Sequence, residues 1–512
     1  MVGVAGKSQA CNTCRERRLK CDLRRPICRK CVKTKRQCTG YDRGERVFVN
    51  RTLSNPSTDA PSVLTERRDR LQPAAGSSAT PDPEVELHRL FAESPRNGGR
   101  FRRYALELLQ VTYLPKDLSA ESRQGSFSWV YGLVDLIQPS QLLDTALFAF
   151  CLSQFHLTQS GSATLYHCLH QYDTALQYLA LDLGDPARIL QDETLAAILV
   201  LSTCELFLCP GSQGWSTHAH GIAEILRLRE PGRARTPAWQ NLATRMRVVC
   251  TLDALTKRQG QMMLNNDVWR QVVNECGISG PLDEVYYMVA DVPTMLGQAV
   301  TLSSIADPDV FLKESAIVAQ AMLAMVQTIE AWQERYLNDS ETPRLWLEPS
   351  SAESLADAGY PDSIFPSCFA FESLSVATPV TMCWSVTAQL LSNVIQIFEL
   401  AETRLGHSTE LNTLLGESRS IDDVRRDGWT MARNVCQSLE YFHRTDMGTF
   451  GSHVTTYPRW SARQYFRLHP GHDRERAWIE SVDKMKGTGT RWGLTMMEFP
   501  DIAAPLNKPR FH

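Results

Sequence analysis

Six cysteines fall within the first forty residues: Cys11, Cys14, Cys21, Cys28, Cys31 and Cys38. Their spacing is C-x2-C-x6-C-x6-C-x2-C-x6-C. A zinc–thiolate site takes two close ligands from one turn and two more from elsewhere, which is what C-x2-C pairs supply. Two tetrahedral ions need eight ligand positions, and six cysteines fill them only if two thiolates are shared. The pattern therefore predicts a compact metal-organised head with two zinc ions. A disulfide knot is disfavoured by the basic flanks and the lack of a secretory apolar segment. A catalytic zinc is disfavoured because a closed all-thiolate site leaves no position for water.

Residues 10–41, ACNTCRERRLKCDLRRPICRKCVKTKRQCTGY, resemble the binuclear zinc cluster of fungal transcription factors. All six cysteines match, as do the basic run Arg15, Arg17, Arg18, Lys20 and the loop-turning Pro26. The resemblance implies two short helix-plus-strand halves around two zincs. It implies that Cys11 and Cys28 bridge, that Cys14 and Cys21 complete one ion, and that Cys31 and Cys38 complete the other. It also implies reading of a CGG-type triplet in the major groove by Arg17 and Arg18, on a helix expected over Thr13–Lys20. Arginine suits bidentate contact with guanine, at about 1–3 kcal/mol per good pair. Arg15, Lys20, Arg29, Lys30 and Lys33 are the candidate phosphate contacts, which set register without carrying sequence information.

The charge distribution agrees. Residues 1–51 hold fifteen Lys and Arg against four Asp and Glu, while the rest of the chain holds 39 against 53. A net charge of −3 thus hides a basic head on an acidic body. Concentrated positive charge drives counterion release from DNA, and the acidic body cannot supply it. The runs Arg15–Lys20 and Lys33–Arg36 also suit nuclear import.

Three domains are expected: a zinc cluster at 8–42, a flexible linker at 49–83 and an all-α body at 84–512. Residues 52–83 are rich in Ser, Thr, Pro and Ala and carry no aromatic residue, a composition that cannot offset ordering entropy. Leu64–Leu71 offers at most one heptad, too little for a dimerising coiled coil. Beyond Glu84, apolar residues recur at helical spacing. Helices are expected over Arg102–Leu114, Gln141–Phe155, Ala163–Leu181, Asp192–Phe207, Trp215–Leu228, Ala238–Leu255, Val310–Tyr336, Pro379–Leu405 and Asp422–Phe442. Period-2 patterns are nearly absent, and no apolar run reaches the roughly 18 residues that span a bilayer. Around Tyr172–Leu179, Glu205-Leu206-Phe207 and Trp215, His218, Gly221, the body resembles the fungal-specific transcription factor domain, which implies a regulatory role.

Nothing points to catalysis. There is no Gly-rich phosphate loop, no H-E-x-x-H and no G-x-S-x-G. His167 with His170 and His218 with His220 lack a second ligand pair, and Cys204 and Cys209 read as core thiols. Trp215, Trp460, Trp478 and Trp492 read as packing residues. Residues 338–366 alternate acidic and apolar character, as activation segments do, although a solvated inter-helix loop fits as well. The expected protein is a nuclear, zinc-dependent, sequence-specific DNA-binding regulator of RNA polymerase II genes and not an enzyme. Its expected partners are double-stranded DNA, transcription coregulators and a second copy in a homodimer. The resemblance extends to pathway-specific activators of biosynthetic gene clusters. The alternative is a DNA-bound repressor or an adaptor whose helical body only recruits partners.

Overall fold

The computed structural model describes residues 13–14, 21, 28–34, 89–90, 99–116, 128–158, 165–228, 237–258, 280–406, 414–416, 419–492, 494 and 496–501. The chain divides into two compact units, Met1–Thr80 and Pro81–His512. The expected linker at 49–83 lies outside the described residues.

Helices dominate the larger unit. Two of them are apolar on nearly every side and form its two centres. Asp192–Leu208 is buried at all but its first residue and packs against Gln141–Thr158, Leu165–Leu183 and Gln213–Leu228. Leu374–Leu405 packs against Pro308–Asn338, Ile421–His443 and Thr456–Leu468. Its length and hydropathy would suffice to cross a membrane, but 89% of the apolar window is buried inside the protein, which is the mark of a core helix. Local signals fix several starts. Asp307 accepts hydrogen bonds from the amides of Asp309 and Val310, each at 3.0 Å, with Pro308 in the first turn. Ser420 and Asp423 form a reciprocal capping box ahead of Ile421–His443.

The body is mainly α, as expected, with one addition: Leu345–Pro349 and Ser367–Phe371 pair as a small antiparallel hairpin with Leu347 opposite Phe369. One strand buries Cys368, Ala370 and Phe371, and it lies against the Ile421–His443 helix. The central helix also begins five residues before Pro379. Proline removes one helical hydrogen bond, which leaves the Ser375 carbonyl without its helical donor. The Tyr336 hydroxyl faces that carbonyl at 3.4 Å, a long contact.

The acidic stretch 338–366 is tied down along its length. Glu348 pairs with Arg444 at 2.7 Å, and Asp357 pairs with Arg474 at 2.7 Å. Phe365 is buried edge-on against Trp478, with ring centroids 4.8 Å apart. It is an ordered cap over the last helices rather than a free acidic segment.

A buried polar node joins three helices of the first half. The Tyr172 hydroxyl donates to Glu205 and lies 3.0 Å from His218 Nε2. Burial pushes the His218 pKa down to about 4, partly opposed by Glu205. The imidazole is therefore neutral when folded, while the unfolded chain binds a proton near pH 6.5. More protons on the unfolded state means stability falls with acidification, beginning near pH 6.5 and continuing to about pH 4. The loss from this one group is roughly 3 kcal/mol over that window. We expect the urea midpoint of tryptophan fluorescence to drop between pH 7 and pH 5, and His218→Gln to flatten part of that drop. An identical slope in the variant would remove His218 as a source.

Candidate metal centre and nucleic-acid interface

Cys28 precedes the short helix Arg29–Lys33, whose first turn carries Cys31 back beside it. The Cys31 amide donates to Cys28 Sγ at 3.3 Å. From the other half of the head, Cys14 Sγ lies 3.8 Å from Cys28 Sγ and 3.9 Å from Cys31 Sγ. The three sulfurs all lie within 4.8 Å of one another and are buried. Cys21 is half-buried against them.

A zinc–sulfur bond of about 2.3 Å in tetrahedral geometry gives a sulfur–sulfur edge of about 3.8 Å. The two separations from Cys14 match that edge, so the three thiols could supply one face of a zinc tetrahedron and the donor set fits the metal. In the shared-thiolate arrangement, however, Cys14 and Cys31 serve different ions. Their 3.9 Å approach would also suit two ligands on one ion. Cys11 and Cys38 lie outside the described residues.

Of the expected DNA contacts, Lys30 and Lys33 are exposed on the Arg29–Lys33 helix. The Thr34 hydroxyl closes that helix by donating to the Lys30 carbonyl at 2.8 Å. The Arg29 backbone belongs to the same turn. Arg15, Arg17, Arg18 and Lys20 lie outside the described residues, as does the helix expected over Thr13–Lys20 beyond Cys14.

Among the described residues no other group of three metal-ligating side chains converges. His167, His170 and His220 are exposed, and His218 is taken up by Tyr172. Burial pushes the Cys204 thiol well above its ordinary value and that of Cys209 to about 12, as expected of inert core thiols.

Residues 9–46 match the family model of the fungal Zn(2)-Cys(6) binuclear cluster domain. The chain is 32% identical over 153 residues to an uncharacterized transcriptional regulatory protein of Schizosaccharomyces pombe, covering 30% of this chain and 25% of that one. It is 35% identical over 89 residues to Adhesion and hyphal regulator 1 of Candida albicans, covering 16% and 13%. The matched segments span a quarter or less of these relatives. No solved structure is similar to the chain.

Sequence reasoning missed a cavity of about 1060 Å³ in the body, with Arg245 on its wall. One signal was available. Trp239, Leu242, Met246 and Val249 form the buried stripe of the Pro237–Lys257 helix, and Arg245 sits three residues after Leu242 and four before Val249. A cation inside an apolar stripe marks either a buried ion pair or a ligand site.

Proposed function

We propose that this chain is a zinc-dependent, sequence-specific DNA-binding regulator of transcription by RNA polymerase II, acting in the nucleus. The observation that carries this reading is the Cys14, Cys28, Cys31 thiol face inside the segment that matches the zinc-cluster family. Two zinc ions, with Cys11 and Cys28 bridging, would cross-link the halves of a head too small to fold on an apolar core. Arg17 and Arg18 then read a CGG-type triplet, and Arg15, Lys20, Arg29, Lys30 and Lys33 grip phosphates. The regulatory body follows a linker at 49–83. It recruits coregulators, supports a homodimer and sets the output as a pathway-specific activator.

The test is selection of full-length protein on a randomised duplex pool, with and without a zinc chelator. Enrichment of CGG-containing sites that vanishes on chelation supports the reading. Two bound zincs with no enriched sequence overturn it.

The contact roles separate by salt and sequence. Lys30→Ala and Lys33→Ala should each weaken binding to all sequences and lower the slope of log affinity against log salt by about 0.9. Arg18→Ala should instead flatten the preference among triplets. Equal loss on every sequence would make Arg18 a phosphate contact.

A further inference from the structure

The cavity of about 1060 Å³ lies where the helices Ser128–Gly132, Pro237–Lys257, Pro281–Met288, Pro308–Asn338, Leu374–Leu405 and Gly448–Val454 converge. Its volume suits a drug-sized organic molecule or a larger one. Much of its wall is apolar, from Val248, Leu252, Val376, Met382, Phe442 and Phe450. Into this wall is set Arg245, which is only 8% exposed.

Arg245 has an unusual set of partners. One of its terminal nitrogens lies 2.7 Å from His453 Nε2. A guanidinium only donates, so His453 Nε2 accepts, and its Nδ1–H is left to donate to the Tyr113 hydroxyl at 2.7 Å. Burial and the Arg245 charge both hold His453 well below its ordinary pKa, so the imidazole is neutral and cancels nothing. Among the described residues no carboxylate pairs with Arg245. The equally buried Arg102 and Arg247 differ, since they face Asp144 and Asp283.

Four donor atoms on the cavity's lining residues are buried without a hydrogen-bond partner: Arg245 Nε, Arg344 Nε, Trp129 Nε1 and Thr381 Oγ1. The one buried carboxylate on the lining, Asp283, is taken up by Arg247. The Arg245 guanidinium carbon is 5.7 Å from the Trp129 ring centre. A buried cation and unanswered donors around an apolar hollow are complementary to one kind of group, a negatively charged acceptor on an apolar body.

We infer that this cavity binds an organic oxyanion, a carboxylate or phosphate carried on an apolar or aromatic skeleton, with Arg245 holding the anion and Trp129 and Thr381 donating beside it. The rim carries both signs, with exposed Glu284, Arg335 and Glu372, so selection for the anion falls to the interior. This site is independent of the zinc head and stands whether or not the DNA-binding reading does.

Two dyes with nearly the same aromatic body test it on the full-length protein. 1-Anilinonaphthalene-8-sulfonate carries an anion, and N-phenyl-1-naphthylamine does not. The anionic dye should bind saturably at one site and more tightly than the neutral one. Arg245→Met should weaken the anionic dye at least tenfold and change the neutral dye less than twofold, while Arg245→Lys restores part of the loss. 1-Naphthoate and 1-naphthyl phosphate should compete, and the stronger competitor identifies the head group. Equal binding of the anionic dye by Arg245→Met, or competition by neither acid, overturns the inference and leaves a merely hydrated cavity. Should Arg245→Met fail to fold, Thr244→Trp on the half-exposed wall decides. It should exclude both dyes, and undiminished anionic-dye binding would place the site elsewhere.

Discussion

Alanine at Cys28 is expected to reduce the affinity for the selected site to that for random DNA, while the body's unfolding transition stays where it was. Cys28 is the thiol on which both the described geometry and the shared-ligand arrangement depend. Its sulfur lies 3.8 Å from that of Cys14 and accepts the Cys31 amide. Structural zinc contributes on the order of 10–16 kcal/mol to small domains at neutral pH. In the proposed two-ion arrangement, losing a ligand common to both ions would remove far more than the head can retain. A DNA-reading protein without its reading surface keeps only electrostatic affinity, a fall of about a thousandfold or more. All eleven tryptophans lie at or beyond position 129, so tryptophan fluorescence reports on the body alone. Anisotropy on the selected site, native mass spectrometry for zinc count and a fluorescence-monitored urea titration together decide the matter. Normal affinity in Cys28→Ala would refute the shared-thiolate model. A single zinc in the unaltered protein would instead favour the one-ion face formed by Cys14, Cys28 and Cys31.

What the sequence made legible follows from how local each signal is. The convergence of Cys14, Cys28 and Cys31 was readable because metal chemistry constrains spacing along the chain directly. The long helices were readable because an amphipathic or wholly apolar run needs no knowledge of its neighbours. Ala238–Leu255 was expected and Pro237–Lys257 is found, and Asp422–Phe442 became Ile421–His443. The helices Gly448–Val454 and Thr456–Leu468 were missed. The first, GTFGSHV, is short and carries two glycines, and tertiary contact rather than propensity holds it, as with the Phe450 amide donating to the Tyr113 carbonyl at 2.9 Å. The second, TYPRWSARQYFRL, is amphipathic, with Tyr457, Trp460, Tyr465 and Phe466 buried, so its signal was present in the sequence despite the early Pro458. The hairpin was missed because its five-residue strands, the first of them inside the acidic cap, are separated by residues 350–366. Its inner face exists only because the Ile421–His443 helix lies against it. The cavity is the extreme case. Trp129, Arg245, Thr381 and His453 lie far apart in sequence, and only the folded chain brings them together.

Those missed helices lead to the second large effect. Gly448→Ala is expected to destabilise the body by about 4 kcal/mol and to weaken anionic-dye binding in whatever fraction remains folded. Gly448 has φ +60° and ψ −159°, a region that residues with a Cβ avoid at a cost of about 1–3 kcal/mol. An added Cβ would also fall well under 3.0 Å from the backbone carbonyls of Tyr113 and Leu114. Rigid backbone cannot yield as a side chain can, so overpacking adds about 1–3 kcal/mol more. The close approach has a purpose in the fold. It seats the Gly448–Val454 helix against Tyr113, whose hydroxyl meets His453, which in turn meets Arg245 at the cavity wall. Pushing the helix away should therefore loosen the anion-holding guanidinium as well as the core. Gly221→Ala is the matched control, since a Cβ there meets nothing within 4 Å inside a regular helix. It should stabilise the protein by about 0.5–1 kcal/mol and leave dye binding alone. A Gly448→Ala variant with a midpoint and dye affinity like those of Gly221→Ala would show that Gly448 is not what seats this helix. The coupling from Tyr113 through His453 to Arg245 would then have to rest on other contacts.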